Sequence, residues 1–377
     1  MNENSKYLIY LLRCAVNDKK PSCKPDDVCW EDVLSLAHHN SVACTVCCAV
    51  EKLDIKPPDD IMNQFLEIKH KAIVKDIIQR EENTKIMNAF EENHIRIMPL
   101  KGFLIKKYYP KSYMRVMSDL DYLIDPECGE KSLSVLKSLK YTCKNYGKGV
   151  HDVYQKPPVM NVELHRSLFS QQMIAKHGYD TNTFEQFSTA DNYKYVHSMS
   201  NEDFFIYYVM HFYKHFNACG SGIRSVMDLY LMFNSLCDHI NQEYIVNKLK
   251  QLGVFSFYLQ MISTAETWFS DTENSVEINE AGEYIIYSGT YGNYTNYYES
   301  QIRAMGKVKF ILKKLCPGMA EMRGYYPVLD KLPFLVGLCF ILRLVKMVII
   351  YHRNVSLVIK LLTKSSDSPE KTKTPAQ

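Results

Sequence analysis

Apolar residues recur at three- and four-residue spacing from residue 6 to about residue 53. They do so again over residues 61–90, after the break at Pro57-Pro58-Asp59-Asp60. The N-terminal quarter therefore predicts helices, the second run a single long one. The period then changes. Residues 95–100 form a short β-like run closed by Lys101-Gly102, and residues 103–109 a brief helical piece stopped by Pro110. A second strand, 120–124, ends at Asp125-Pro126; residues 131–139 read as helix; β-like runs at 150–155 and 159–164 flank the turn signal Lys156-Pro157-Pro158. Ser200-Asn201-Glu202-Asp203 has capping-box spacing, with Asp in place of Glu, and starts a helix through residue 214. Helical periodicity returns over 222–236, 244–252 and 258–268. The Tyr/Asn/Gly-rich residues 287–298 predict a loop, and the polar residues 365–377 a disordered tail.

The pattern predicts an α+β fold, a small mixed β-sheet core flanked by N-terminal and C-terminal helical regions. The expected division is 1–92 helical, 93–197 the α/β core, 198–363 helical and 364–377 the tail.

Composition narrows the function classes. With 46% hydrophobic residues in 377, the chain has material for a core, and 45 Lys+Arg against 42 Asp+Glu leave +3. That balance gives no global basic field, so there is no strong sign of a long nucleic acid as partner. Twelve scattered cysteines are too few for a disulfide scaffold, and the start of the chain has no signal-peptide pattern, so a reducing cytoplasm is expected. Cys44 and Cys47 lie in an Ala/Val-rich helical stretch with no second pair and are expected to pack as small apolar residues. Residues 332–351 are long enough to span a bilayer but carry Arg343 and Lys346 near their centre, each costing about 2.5–3.5 kcal/mol on insertion. A core helix is favoured over one lying on a membrane surface with Arg343, Lys346, Arg353 and Lys360 among headgroups; the second reading makes residues 332–351 a peripheral membrane contact.

The chemistry concentrates in the α/β core. Asp119 and Asp121 open a predicted strand, whose alternation sends both side chains to one face. Glu163 lies on another predicted strand of the same unit, so three carboxylates from two strands are placed to converge. Oxygen ligands of this kind select Mg²⁺ or Mn²⁺, and two ions about 3.5–4 Å apart clamp the oxygens of an in-line phosphoryl displacement. The bland alternative is a pair of surface acids at a strand end. Lys101-Gly102, ending one strand before a helix, is an arrangement in which backbone N–H groups and a lysine hold phosphate.

In order, Leu100-Lys101-Gly102, then Arg115-x-x-Ser118-Asp119-x-Asp121, then Val162-Glu163-Leu164-His165, His211-x-x-Lys214-His215 and Arg224-x-x-x-Asp228 resemble the bacterial uncharacterised nucleotidyltransferase family of the DNA polymerase beta superfamily. The resemblance runs from about residue 30 to about 350 and includes Tyr325-Tyr326-Pro327 through Phe334. It implies that Asp119, Asp121 and Glu163 hold two Mg²⁺ (or Mn²⁺), that an NTP binds with its triphosphate near Lys101 and Gly102, and that Ser118 also contacts the nucleotide. An acceptor hydroxyl or phosphate then attacks the α-phosphorus and pyrophosphate leaves. One departure is that Gly102 is followed by Phe103, where the superfamily usually has Gly or Ser; the Lys-Gly form resembles the abortive-infection type of toxin nucleotidyltransferases.

Other residues carry two readings each. Arg115 either touches phosphate or pairs with an acid. His165 steers the nucleophile or hydrogen-bonds a carboxylate. Lys214 reaches the triphosphate or base from its helix, or packs there with His211 and His215 on the same face. His211 and His215 have zinc spacing but no third ligand nearby. Arg224 and Asp228, four apart, are expected to form an ion pair, and the resemblance adds a supporting or acceptor-side role for Asp228 and His215. The acceptor is open: a small molecule, a sugar, a protein or a tRNA end. The rival is a non-catalytic interaction protein that keeps the fold.

Overall fold

The computed structural model describes residues 3–147, 151–178, 184–271, 276–349 and 352–363. Helices α1 (Glu3–Val16), α2 (Trp30–His39), α3 (Ala43–Val50) and α4 (Asp59–Glu92) precede a mixed sheet. Strand β1 (Ile97–Pro99) leads through α5 (Gly102–Ile105) to β2 (Leu120–Ile124), and α6 (Gly129–Ser138) leads to β3 (Thr142–Asn145), β4 (His151–Lys156) and β5 (Met160–His165). After α7 (Gln171–His177), a small β6–β7 pair (Ser188–Thr189, His197–Ser198) precedes α8 (Asn201–Ala218), α9 (Ile223–Leu236), α10 (Gln242–Gln251), α11 (Phe255–Phe269) and α12 (Glu280–Ser288). Then follow α13 (Tyr294–Met305), α14 (Lys307–Leu315), α15 (Met319–Tyr325), α16 (Val336–Ile349) and α17 (His352–Thr363).

Two compact units result: residues 1–213 with 222–290, and residues 214–221 with 291–377. The first holds the sheet, ordered β1-β2-β5-β4-β3, in which only β2 and β5 run parallel. Strand alternation divides its residues by chemistry. Leu120, Tyr122, Ile124, Tyr154, Val162 and Leu164 are buried against Ile86 and Phe90 of α4 and Val135 and Leu136 of α6. Asp121, Glu163 and His165 therefore share the opposite face.

Helix α4, about 50 Å long, buries a stripe that is partly polar: Asp76, Gln79, Glu82 and Asn83. Each is hydrogen-bonded. Asn83 accepts from the Tyr122 hydroxyl (2.7 Å), Glu82 from Tyr141 (2.9 Å) and Lys156 (2.7 Å), Asp76 from Lys106 (2.7 Å) and Ser112 (2.6 Å), and Gln79 from Lys106 (3.1 Å). The expected cap of α8 forms, with the Ser200 hydroxyl accepting from the Asp203 N–H at 3.0 Å. All twelve cysteines are free thiols. Cys44, Cys47 and Cys48 are buried in α3, and burial pushes the Cys47 thiol up to about 12, so they pack as small apolar groups.

Two expectations are corrected. Residues 294–298 of the expected 287–298 loop are helical and continue α13 to Met305, because Asn293 caps that helix by accepting from the Asn296 N–H at 2.8 Å. The apolar stretch 332–351 is not one span-length helix: Pro333 sits in a 3₁₀ turn, and α16 starts only at Val336. Among the described residues no helix is long and apolar enough to cross a membrane. The core reading of that stretch holds for one side of α16 only. Val336, Cys339 and Phe340 pack with Met322 and Leu329, whereas Leu338, Ile341, Leu342, Val345 and Ile349 are exposed. Residues 365–377, read as a tail, lie outside the described residues.

Candidate active site

Parallel pairing of β2 and β5 sets Asp121 directly opposite Glu163, and Leu123 opposite His165. Antiparallel pairing of β4 sets His151 opposite His165. Directly paired residues share a face, so four polar side chains from three strands gather on the side of the sheet away from α4. His165 Nε2 lies 2.8 Å from Asp121 Oδ1 and 3.5 Å from Glu163 Oε2, and His151 Nε2 lies 3.5 Å from the same Glu163 oxygen. Asp119 stands one residue ahead of β2 and bonds the Ser118 hydroxyl.

The turn between β1 and α5 faces this group. The Leu100 N–H donates to the Asp121 carbonyl at 2.9 Å, Lys101 adopts φ 44°, and its Nζ lies 3.3 Å from Asp121 Oδ1. A left-handed lysine costs roughly 1–3 kcal/mol, and such residues persist where surroundings over-determine them. Gly102 is required by space: a Cβ there would meet Arg115 Nη1 at 2.7 Å.

Arg115 itself is committed. Its Nε and Nη2 donate to the two oxygens of Asp228 at 2.8 and 2.7 Å, both residues being buried, and Tyr109 Oη donates to Asp228 at 2.5 Å. Burial opposes the guanidinium's charge, but Asp228 overcomes it and raises the arginine's pKa further. The expected Arg224–Asp228 pair is thus replaced: Arg224 donates to the Val116 carbonyl at 2.8 Å instead. Gln79 holds the Met117 carbonyl (3.2 Å) and Thr45 the Met114 carbonyl (2.8 Å). The segment leading into Asp119 is consequently clamped from α3, α4 and α9. The salt-bridge reading of Arg115 is the one the geometry carries, and Asp228 serves as its anchor.

Electrostatics separate the three acids. Burial first, then the charges of Asp121 and Asp119, push Glu163 up to about 7. Burial and the charge of Asp121 also raise Asp119. Asp121 is buried too, yet Lys101 and His165 hold it well below the usual carboxylate range. Burial lowers His165 despite its bond to Asp121. Like-charged groups that crowd without a matching cation are a poor packing solution and a good cation site.

Because Glu163 binds its proton more tightly folded than unfolded, its contribution favours the folded state at low pH. That contribution is lost as pH rises from about 4.5 through about 7, whereas the opposite contribution of Asp121 lies below 3.8. Glu163→Gln is therefore expected to raise the melting temperature of the metal-free protein at pH 8 and to flatten its decline between pH 5 and 8. Thermal melts in EDTA measure this, with a ceiling of about 3 kcal/mol that solvent at the 24% exposed side chain reduces. An unchanged profile would refute it.

His151 is the site residue that sequence patterning does not single out, since only strand register brings it to Glu163. Lys214 and His215 are half-buried on α8 and fall in the second unit.

A family model described as uncharacterised nucleotidyltransferase matches residues 26–270. The chain belongs to the uncharacterised nucleotidyltransferase family. No curated protein matches the chain. Among solved structures, the solution structure of the antibiotic-resistance factor ANT(2'')-Ia is similar at 13% identity and a TM-score of 0.35, over 49% of this chain and 96% of that one. In this nucleotidyltransferase, the matched residues include every group that clamps the Asp119 segment.

Proposed function

We propose that this nucleotidyltransferase is a cytoplasmic enzyme that uses Mg²⁺ or Mn²⁺ to transfer an NMP from an NTP to an acceptor hydroxyl or phosphate, releasing pyrophosphate. The observation that carries it is the gathering of Asp121 and Glu163, in register, with Asp119 two residues before Asp121 and Lys101 3.3 Å from Asp121. The donor set fits divalent cations, since three carboxylates crowd one face and raise Glu163 to about 7. Asp119, Asp121 and Glu163 would hold two such ions, which supply neutralisation of triphosphate charge and a lowered pKa for the acceptor.

The chain's own groups do the rest. Lys101 and the backbone of the Lys101-Gly102 turn grip triphosphate oxygens, the lysine releasing Asp121 as it does so. Ser118 orients Asp119. Glu163 accepts the acceptor's proton as the acceptor oxygen attacks the α-phosphorus and pyrophosphate leaves. His165, bonded to Asp121, fixes that carboxylate. The test is incubation with each α-³²P-labelled NTP, divalent metal and a cell extract separated into metabolites, RNA and protein. Label in one fraction names the acceptor class. No label, with no metal-dependent NTP binding, transfers the case to a non-catalytic protein that keeps the fold.

We also propose that the second unit rests on an anionic lipid surface. Residues 291–363 carry eleven Lys and Arg against three Asp and Glu, in a chain whose total is only +3. An apolar helix side is ordinarily turned to a core, yet α16 exposes Leu338, Ile341, Leu342, Val345 and Ile349 on one side. Its Arg343 and Lys346 lie over Tyr325 and Tyr326, away from that side. A second copy would meet like charge, whereas acidic headgroups match both features. Co-sedimentation with phosphatidylserine-containing vesicles is expected, and Ile341→Glu/Leu342→Glu should weaken it at least tenfold. Equal binding to neutral vesicles, or none, overturns the docking.

A further inference from the structure

On the same sheet face, Glu163 also stands in a group of ligand atoms with two imidazoles. One atom each from His151, Glu163 and His165 lie within 4.8 Å of one another. The two His–Glu separations are equal, at 3.5 Å. Ligands about 2.0–2.2 Å from a tetrahedral ion stand about 3.4 Å from each other, so each His–Glu pair already has that spacing, and the group as a whole, within 4.8 Å, needs only side-chain rotation to close on an ion. The rings lie 5.1 Å apart between centroids and are tilted 45° to one another.

Strand pairing explains why the geometry is fixed. His151 and His165 are cross-strand partners on β4 and β5, and Glu163 is two residues from His165 on the same strand face. Three ligands on rigid, paired backbone are preorganised, unlike a set on a loop. The chemistry of the set departs from the all-oxygen one that Asp119, Asp121 and Glu163 make. Mg²⁺ prefers oxygen and keeps its waters, while imidazole nitrogen suits borderline transition ions.

We infer that Glu163 is the shared ligand of a mixed imidazole–carboxylate site, formed with His151 and His165, that takes a divalent transition-metal ion in preference to Mg²⁺. The inference rests on the proposed metal-dependent reading of the same face and deepens it by naming the ion class. In the metal-free protein, the Nε2 of His165 bonds Asp121 at 2.8 Å, where it carries a proton. When the ion enters, the ring carries that proton on Nδ1 instead and Nε2 becomes a ligand, while a proton held by the Glu163 carboxyl leaves to solvent. Asp121 is thereby freed towards the neighbouring oxygen-ligated position beside Asp119. One His165 ring thus switches between holding Asp121 and holding a metal.

Cu²⁺ is a suitable probe because imidazole suits it and directly bound imidazole nitrogen gives a ¹⁴N coupling in pulsed EPR. The full chain titrated with Cu²⁺ in the presence of excess Mg²⁺ is expected to show that coupling. His151→Gln should remove part of the coupling and weaken Cu²⁺ about tenfold, the lower end of what perturbing a ligand environment costs, with Mg²⁺ affinity unchanged within about twofold. Cu²⁺ bound with oxygen ligands alone would overturn this inference and leave the carboxylate reading standing. Binding of neither Cu²⁺ nor Mg²⁺ would overturn both. The wild-type coupling needs no variant, so a His151→Gln chain that failed to fold would not rescue the idea.

Discussion

Asp119→Ala/Asp121→Ala is expected to lower nucleotidyl transfer by at least about a thousandfold, the scale of losing a preorganised charge-stabilising group at a reacting phosphorus, while leaving the fold in place. Asp121 is the centre of the arrangement: Lys101 at 3.3 Å and His165 at 2.8 Å both turn on its Oδ1. Removing it strands a lysine and an imidazole beside Glu163, a change that Glu163 tolerates because the opposing charge of Asp121 also disappears. Label transfer from α-³²P NTP measures the loss, and circular dichroism checks the fold. Transfer within tenfold of wild type in a folded variant would remove these two acids from the chemistry.

The second large effect is on stability. Asp228→Ala leaves Arg115 charged and buried without its bidentate partner, and it takes the acceptor from the Tyr109 hydroxyl. Breaking such a pair from one side costs about 3–5 kcal/mol, whereas replacing both partners by apolar groups is often neutral. Asp228→Ala is therefore expected to unfold far earlier in denaturant than wild type, with Arg115→Leu/Asp228→Leu recovering much of the difference. Equal stability of the single and double variants would show that the pair is not what holds the clamp. Transfer should fall in the single variant as well, because the guanidinium that Asp228 holds packs against the Lys101-Gly102 turn, its Nη1 2.7 Å from where a Cβ on Gly102 would be.

Strong periodicity makes much of the fold legible in the sequence. Helix α4 and strands β2 and β5 fall within a residue or two of where the spacing puts them, because buried apolar residues mark both ends of α4 and one face of each strand. Strand β3 gives no such signal. Thr142-Cys143-Lys144-Asn145 is an edge strand with alternately exposed residues and no apolar run to announce it. Helix α13 is masked by a composition rich in Tyr and Asn, which its N-cap overrides. Of the site, the acids are legible because strand alternation fixes which side chains share a face. The Arg115–Asp228 pair is not, since 113 residues separate its members and a local i, i+4 partner offers itself at Arg224. His151 escapes for a related reason: nothing in one strand's sequence tells which neighbour it will face.

The clamp on the segment before Asp119 bears on how this protein can change over generations or be recombined in the laboratory. Thr45, Gln79, Arg224 and Asp228 come from three helices outside the sheet, yet each holds the backbone or side chain of residues 114–117. A sheet exchanged between two family members at its natural-looking edges would carry Arg115 and Gly102 but leave their counterparts behind. Heritable variation at these positions must therefore arrive in matched sets, and the smallest portable piece of chemistry runs from α3 to α9 rather than from β1 to β5.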